Sequence, residues 1–141
     1  MTNAVTRVPG RGTGLVLTAG IAELALTTGY IHLSLGGVLF TLNALGYLGL
    51  AVLVVVSELP HPMIRRFRWL PRLGLAGFTA VTIGAYLVVG PYFTLGWVAK
   101  AVEVAILTLL AAEVIVSYGS VAAFTRAVLS SLRGRRLGRA A

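Results

Sequence analysis

The stretch Glu58-Leu-Pro-His-Pro-Met-Ile-Arg-Arg-Phe-Arg-Trp-Leu-Pro-Arg72 divides this chain in two. It holds Arg65, Arg66, Arg68 and Arg72, and it separates two arginine-free runs of 53 residues each, 12–64 and 73–125. The remaining arginines are Arg7 and Arg11 before the first run, and Arg126, Arg133, Arg135, Arg136 and Arg139 after the second. A bilayer excludes arginine, and cytoplasmic segments collect it. Each run is almost wholly apolar and can hold two helical spans of ~20 residues with a turn between them. The expected fold is therefore all-α, a four-transmembrane-helix bundle.

The spans are expected at about 14–33, 38–57, 73–89 and 94–117, giving a membrane domain over 14–117. Ser34-Leu35-Gly36-Gly37 and Gly90-Pro91-Tyr92-Phe93 read as tight turns. Pro60 and Pro62 stop the second helix, and 58–72 reads as a loop. Residues 1–13 form a basic amino-terminal segment. In 118–141, Val121, Phe124, Val128 and Leu132 recur at helical spacing, which predicts an amphipathic surface helix followed by a basic tail. Both turns are uncharged, so the arginine bias places both termini and the central loop in the cytoplasm, with the protein in the cell inner membrane. Trp69 and Tyr118 suit the inner interface, and Tyr30, Tyr92 and Trp97 the outer one. A signal peptide is the alternative for the first span, with Arg7 and Arg11 as its basic region. That apolar run is long for one, and Glu23 interrupts it.

Composition agrees with a membrane class. The chain of 141 residues is 57% hydrophobic and 11% charged, against ~25% charged for an average soluble domain. The net charge of +8 does not point to nucleic acid, because the arginines flank apolar spans without interleaved aromatic platforms. Arg65, Arg66, Arg68, Arg72, Arg126 and Arg133 are expected to contact anionic lipid headgroups. With no cysteine there is no disulfide framework, thiolate metal site or dithiol chemistry. No phosphate-binding loop, HExxH pair or serine elbow appears. His32 and His61 fall on opposite sides of the bilayer, so one chain cannot bridge a haem between them. No metal or cofactor is expected, and nothing argues for an enzyme.

Glu23, Lys100, Glu103 and Glu113 lie inside the expected spans. A charge at a span centre costs ~2.5–3.5 kcal/mol, and each Leu, Ile or Val returns only ~0.3–0.6. Lys100 and Glu103 share a helix face and can pair. Glu113 is close to the cytoplasmic end, where headgroup solvation suffices. Glu23 heads a polar stripe with Thr27 and Tyr30. His32, nine residues on, is half a turn out of phase, so Glu23 and His32 cannot both face the bundle centre. Asn43, with Tyr47 one turn on, is a buried amide expected to bond across helices. Thr79, Thr82 and Tyr86, with Gly77 and Gly84, read as a packing stripe. The candidate site is thus Glu23, Asn43, Lys100 and Glu103, with Tyr30 and His32 on its outer side. A weak echo at an offset of 60 residues pairs Leu35, Gly36 and Val38 with Leu95, Gly96 and Val98, and sets Asn43 opposite Glu103. Parallel hairpin repeats or chance matching in an apolar alphabet both explain it.

Two segments, Tyr30-Ile-His-Leu-Ser-Leu-Gly-Gly-Val-Leu-Phe-Thr-Leu-Asn-Ala-Leu-Gly-Tyr47 and Trp97-Val-Ala-Lys-Ala-Val-Glu-Val104, resemble small four-span bacterial membrane proteins of the actinobacterial type. The resemblance covers most of the membrane part and implies architecture, with no activity attached. The chain is also similar to small multidrug exporters in its four short spans and first-span glutamate, but the basic loop and tail depart from them. Two function classes follow. One is a non-enzymatic accessory subunit that self-associates or joins a larger membrane complex. The other is a small transporter or channel component using the membrane Glu and Lys residues for a proton, ion or polar solute.

Overall fold

The computed structural model describes residues 11–133. Arg7, and the tail arginines Arg135, Arg136 and Arg139, lie outside the described residues. Within them the chain is all-helical: α1 (Arg11–Leu35), α2 (Val38–Val56), α3 (Pro62–Arg66), α4 (Trp69–Val89), α5 (Thr94–Tyr118) and α6 (Val121–Leu132).

Local chemistry sets the breaks. Gly36 and Gly37 take φ of 71° and 89°, a region glycine enters at little cost, so α1 runs on to Leu35 before the chain reverses. The central segment is more helical than expected. Pro62 opens α3 at a position where its missing N–H is not needed. Pro71 sits in the first turn of α4, where proline is tolerated, so α4 starts at Trp69, four residues before the expected Leu73. Gly119, at φ 77°, ends α5. Ser120 then caps α6, its Oγ accepting from the Ala123 N–H at 3.1 Å.

The long helices form a ring in the order α1, α2, α4, α5. Gly46 lets the Phe78 ring lie against its backbone; an added Cβ would come within 2.5 Å of that ring. Gly77 and Gly84, expected to offer close approach, face open space. The helix α6 bends 78° away from α5. It is tied to the bundle by Phe124 packed edge-on to Tyr118, and by Trp69, whose Nε1 donates to Ser131 Oγ at 2.8 Å. Arg66 donates to the Ser131 carbonyl at 2.7 Å. Val121 and Leu132, the ends of the expected apolar stripe, stay exposed.

The outer surface of the ring is apolar: Val16, Leu39, Val81 and Val89 are all largely exposed. Soluble monomers rarely carry so continuous an apolar exterior, and a bilayer explains it. α1, α2 and α4 are each long and apolar enough to cross a membrane, and α5 with α6 passes the same test as a bent pair, giving three or four candidate spans.

Candidate functional site

Two polar layers occupy the bundle, one toward the turns at Gly36 and Gly90, the other toward α3 and α6. Between them every long helix contributes buried apolar residues: Ile21 and Ala25 from α1, Ala51 and Val54 from α2, Leu75 from α4, Ile106 from α5.

The layer near α3 centres on Arg72. Its Nε donates to both Glu113 oxygens, at 2.8 and 2.9 Å. Nη1 donates to Ser57 Oγ at 2.6 Å and to the Arg68 carbonyl at 2.9 Å. Nη2 donates to Glu58 Oε1 at 2.6 Å and to Thr18 Oγ1 at 3.2 Å. All five guanidinium N–H bonds thus have acceptors. Arg68 adds a second bond to Glu58, at 2.7 Å. Two arginines and two glutamates balance, which is the condition for burying such groups in a low-dielectric core. This corrects two expectations. Arg72, only 5% exposed, is a core residue and not a headgroup contact. Glu113, at 2%, is solvated by arginine and not by lipid. Arg68 also turns inward, Arg66 binds α6, and Arg65, Arg126 and Arg133 remain exposed.

The layer near the turns centres on Glu103, which is fully buried. Lys100, one helical turn before it, donates from Nζ to Oε2 at 2.5 Å. Thr82 Oγ1 approaches the same oxygen at 3.1 Å and the Thr79 carbonyl at 2.9 Å. Its single proton can serve only one of them. The Tyr47 hydroxyl lies 2.9 Å from Thr82 Oγ1, and with that proton committed Tyr47 is the donor. The other carboxylate oxygen, Oε1, accepts a longer bond from Thr28 Oγ1 at 3.4 Å and faces His32 Nε2 at 3.7 Å. His32 Nδ1 donates to the Thr28 carbonyl at 2.8 Å, which fixes the protonated nitrogen of the neutral ring. Thr79 Oγ1 is buried and has no partner among the described residues.

A cavity of about 380 Å³ adjoins this layer. Its floor is polar, formed by His32, Asn43, Thr82 and Lys100, and its walls are aromatic and aliphatic, including Phe40, Phe78 and Tyr86. Leu39, Val81 and Val89 line it and are also highly exposed. They put its mouth between α2 and α4 toward the turn end, facing the apolar exterior. Lys100 Nζ lies 5.4 Å from the centre of the Tyr86 ring and donates weakly to the Thr82 carbonyl at 3.4 Å. One of its three N–H bonds has no acceptor among the described residues. Gly96 is buried beside Tyr86; a Cβ there would lie 2.6 Å from the tyrosine hydroxyl.

The structure brings together Lys100, Glu103 and His32. Asn43 lines the same cavity as Lys100, but it is half-buried and makes no cross-helix hydrogen bond among the described residues, contrary to the expectation of a buried, bonded amide. It does not bring Glu23 or Tyr30. Both are exposed on the outer face of α1, Tyr30 at 73%, because the nine-residue phase difference that turns His32 inward turns Glu23 out. Tyr47, Thr82 and Thr28 complete the site. The first two were visible as polar residues at helical spacing, but their role depends on which helix they meet. Thr28 carried only the i, i+4 relation to His32 as a signal. No family model matches the chain, and no curated protein or solved structure was found to be similar to it.

Proposed function

We propose that this chain is a non-enzymatic, multi-pass membrane subunit that binds a small amphiphilic molecule in the cavity at its turn end. The head of that molecule accepts a hydrogen bond or carries negative charge. The observation behind this reading is the double position of Lys100: it is ion-paired to Glu103 and also forms part of the cavity floor. An apolar pocket with a few convergent polar groups is the usual form of a small-molecule site. A mouth rimmed by lipid-facing side chains suits an occupant that arrives through the bilayer. The arginine distribution supports both termini in the cytoplasm of the inner membrane, with the cavity toward the opposite side.

Binding is favoured over conduction by the apolar layer. Glu103 and Glu113 stand ten residues apart on α5, about 15 Å of helix, and that separation is filled by Ile21, Ala51, Leu75 and Ile106. A transporter would have to open it. Saturation-transfer NMR on the chain in nanodiscs, with decanoate and decyltrimethylammonium as probes, tests the reading. Transfer to decanoate is expected above the empty-disc level, at least tenfold weaker in Lys100→Met/Glu103→Leu, and absent for the ammonium probe. Equal signals from protein-containing and empty discs would contradict it.

A further inference from the structure

The chain has four acidic residues, all glutamate. Glu58 and Glu113 are neutralised by Arg68 and Arg72, and Glu103 by Lys100. Glu23 is the fourth. It is exposed at the midpoint of α1, twelve residues from each end, or about 18 Å. No cation among the described residues lies within 4 Å of it. A lysine could extend its stem toward an interface, but a glutamate at that depth cannot reach either one. The same face carries Thr27, whose hydroxyl is spent on the Glu23 carbonyl at 2.9 Å, and Tyr30 two turns on, with exposed Val16 and Leu26 and the small Ala19 beside them. A carboxylate held against hydrocarbon is costly, and a basic group opposite it would offset that cost.

We propose that the outer face of α1 around Glu23 docks a transmembrane helix of another protein that carries a lysine or arginine near its midpoint. A second copy of this chain is the poorer occupant. Because Glu23 is at the middle of its helix, a two-fold axis along the membrane normal or within its plane sets Glu23 against Glu23. The buried cations Lys100 and Arg72 lie in the two polar layers on either side of that midpoint and are held in their own pairs. The docking face is separate from the cavity, so it stands whether or not the cavity binds an amphiphile.

The chain has no cysteine, so an introduced one is its only thiol. A Thr94→Cys chain carrying a donor dye is reconstituted in phosphatidylcholine vesicles. Acceptor-labelled synthetic Leu/Ala helices of one span are added, with Lys, Leu or Glu at the midpoint. Energy transfer is expected to show at least tenfold tighter association of the Lys helix than of the Leu helix, and Glu23→Gln is expected to abolish that preference. Glu23 is exposed, so the substitution leaves the core untouched. Equal association of the three helices, or a lysine preference that survives Glu23→Gln, would overturn the proposal. So would near-complete disulfide cross-linking of Ala19→Cys chains without any added helix, which would assign the face to a second copy.

Discussion

Arg72 and Glu113 face each other across α4 and α5, with the arginine Nε shared between both carboxylate oxygens at 2.8 and 2.9 Å. The same guanidinium reaches Thr18 on α1 and Ser57 at the end of α2, so one side chain ties four helices together. Removing one partner of a buried pair strands the other. Glu113→Gln or Arg72→Met is expected to lose about 3–5 kcal/mol, read by reversible unfolding in mixed micelles. Arg72→Met/Glu113→Leu is expected to lose less than either single change. A double variant that loses the sum of the two would show that the pair is not coupled.

The Tyr47 hydroxyl bonds Thr82 Oγ1, which in turn lies 3.1 Å from Glu103 and 2.9 Å from the Thr79 carbonyl. Tyr47→Phe and Thr82→Val are each expected to cost about 1–3 kcal/mol, since each leaves a buried group short of a partner. Their effects are expected to be non-additive by about 0.5–3 kcal/mol in a double-mutant cycle. Strict additivity would mean that the Tyr47 hydroxyl finds its partner elsewhere.

Gly96 holds Tyr86 at the cavity wall by having no side chain. Gly96→Ala is expected to displace Tyr86, to cost about 1–3 kcal/mol by overpacking and to weaken decanoate binding. Tyr86→Leu in the same chain should restore stability, because it removes the hydroxyl and ring edge that the new methyl meets. Stability unchanged by Gly96→Ala would place Tyr86 elsewhere in the membrane.

The arginine blocks make a topological statement that single cysteines can check. In sealed right-side-out vesicles, Thr94→Cys is expected to react with an impermeant maleimide, and Arg65→Cys only after permeabilisation. The reverse pattern would invert the protein in the bilayer.

The helices were legible because span length and arginine exclusion are one-dimensional properties. The start of α4 was not, because the arginine block ending at Arg72 set the expected boundary, whereas Arg72 and Pro71 both lie inside the helix, the proline in a first turn that tolerates it. The site was legible in part. Lys100 and Glu103 pair along one helix, so spacing alone joined them. Arg72 and Glu113 are 41 residues apart, and headgroup solvation was an adequate account of each until both were found facing inward. Glu23 shows the opposite limit. Its chemistry marked it for the interior, while helical phase relative to His32 allowed only one of them there, and nothing local decided which.

Lys100 is the only lysine in the chain, so acylation by a small amine-reactive ester reports on it alone once the amino terminus is resolved by mass spectrometry. In nanodiscs, Lys100 is expected to be modified, at a rate reduced at least tenfold by saturating decanoate and by Ala85→Trp, which fills the cavity from its wall. A Lys100 that reacts only after unfolding, or at a rate indifferent to both decanoate and Ala85→Trp, would contradict a binding site built on this ammonium.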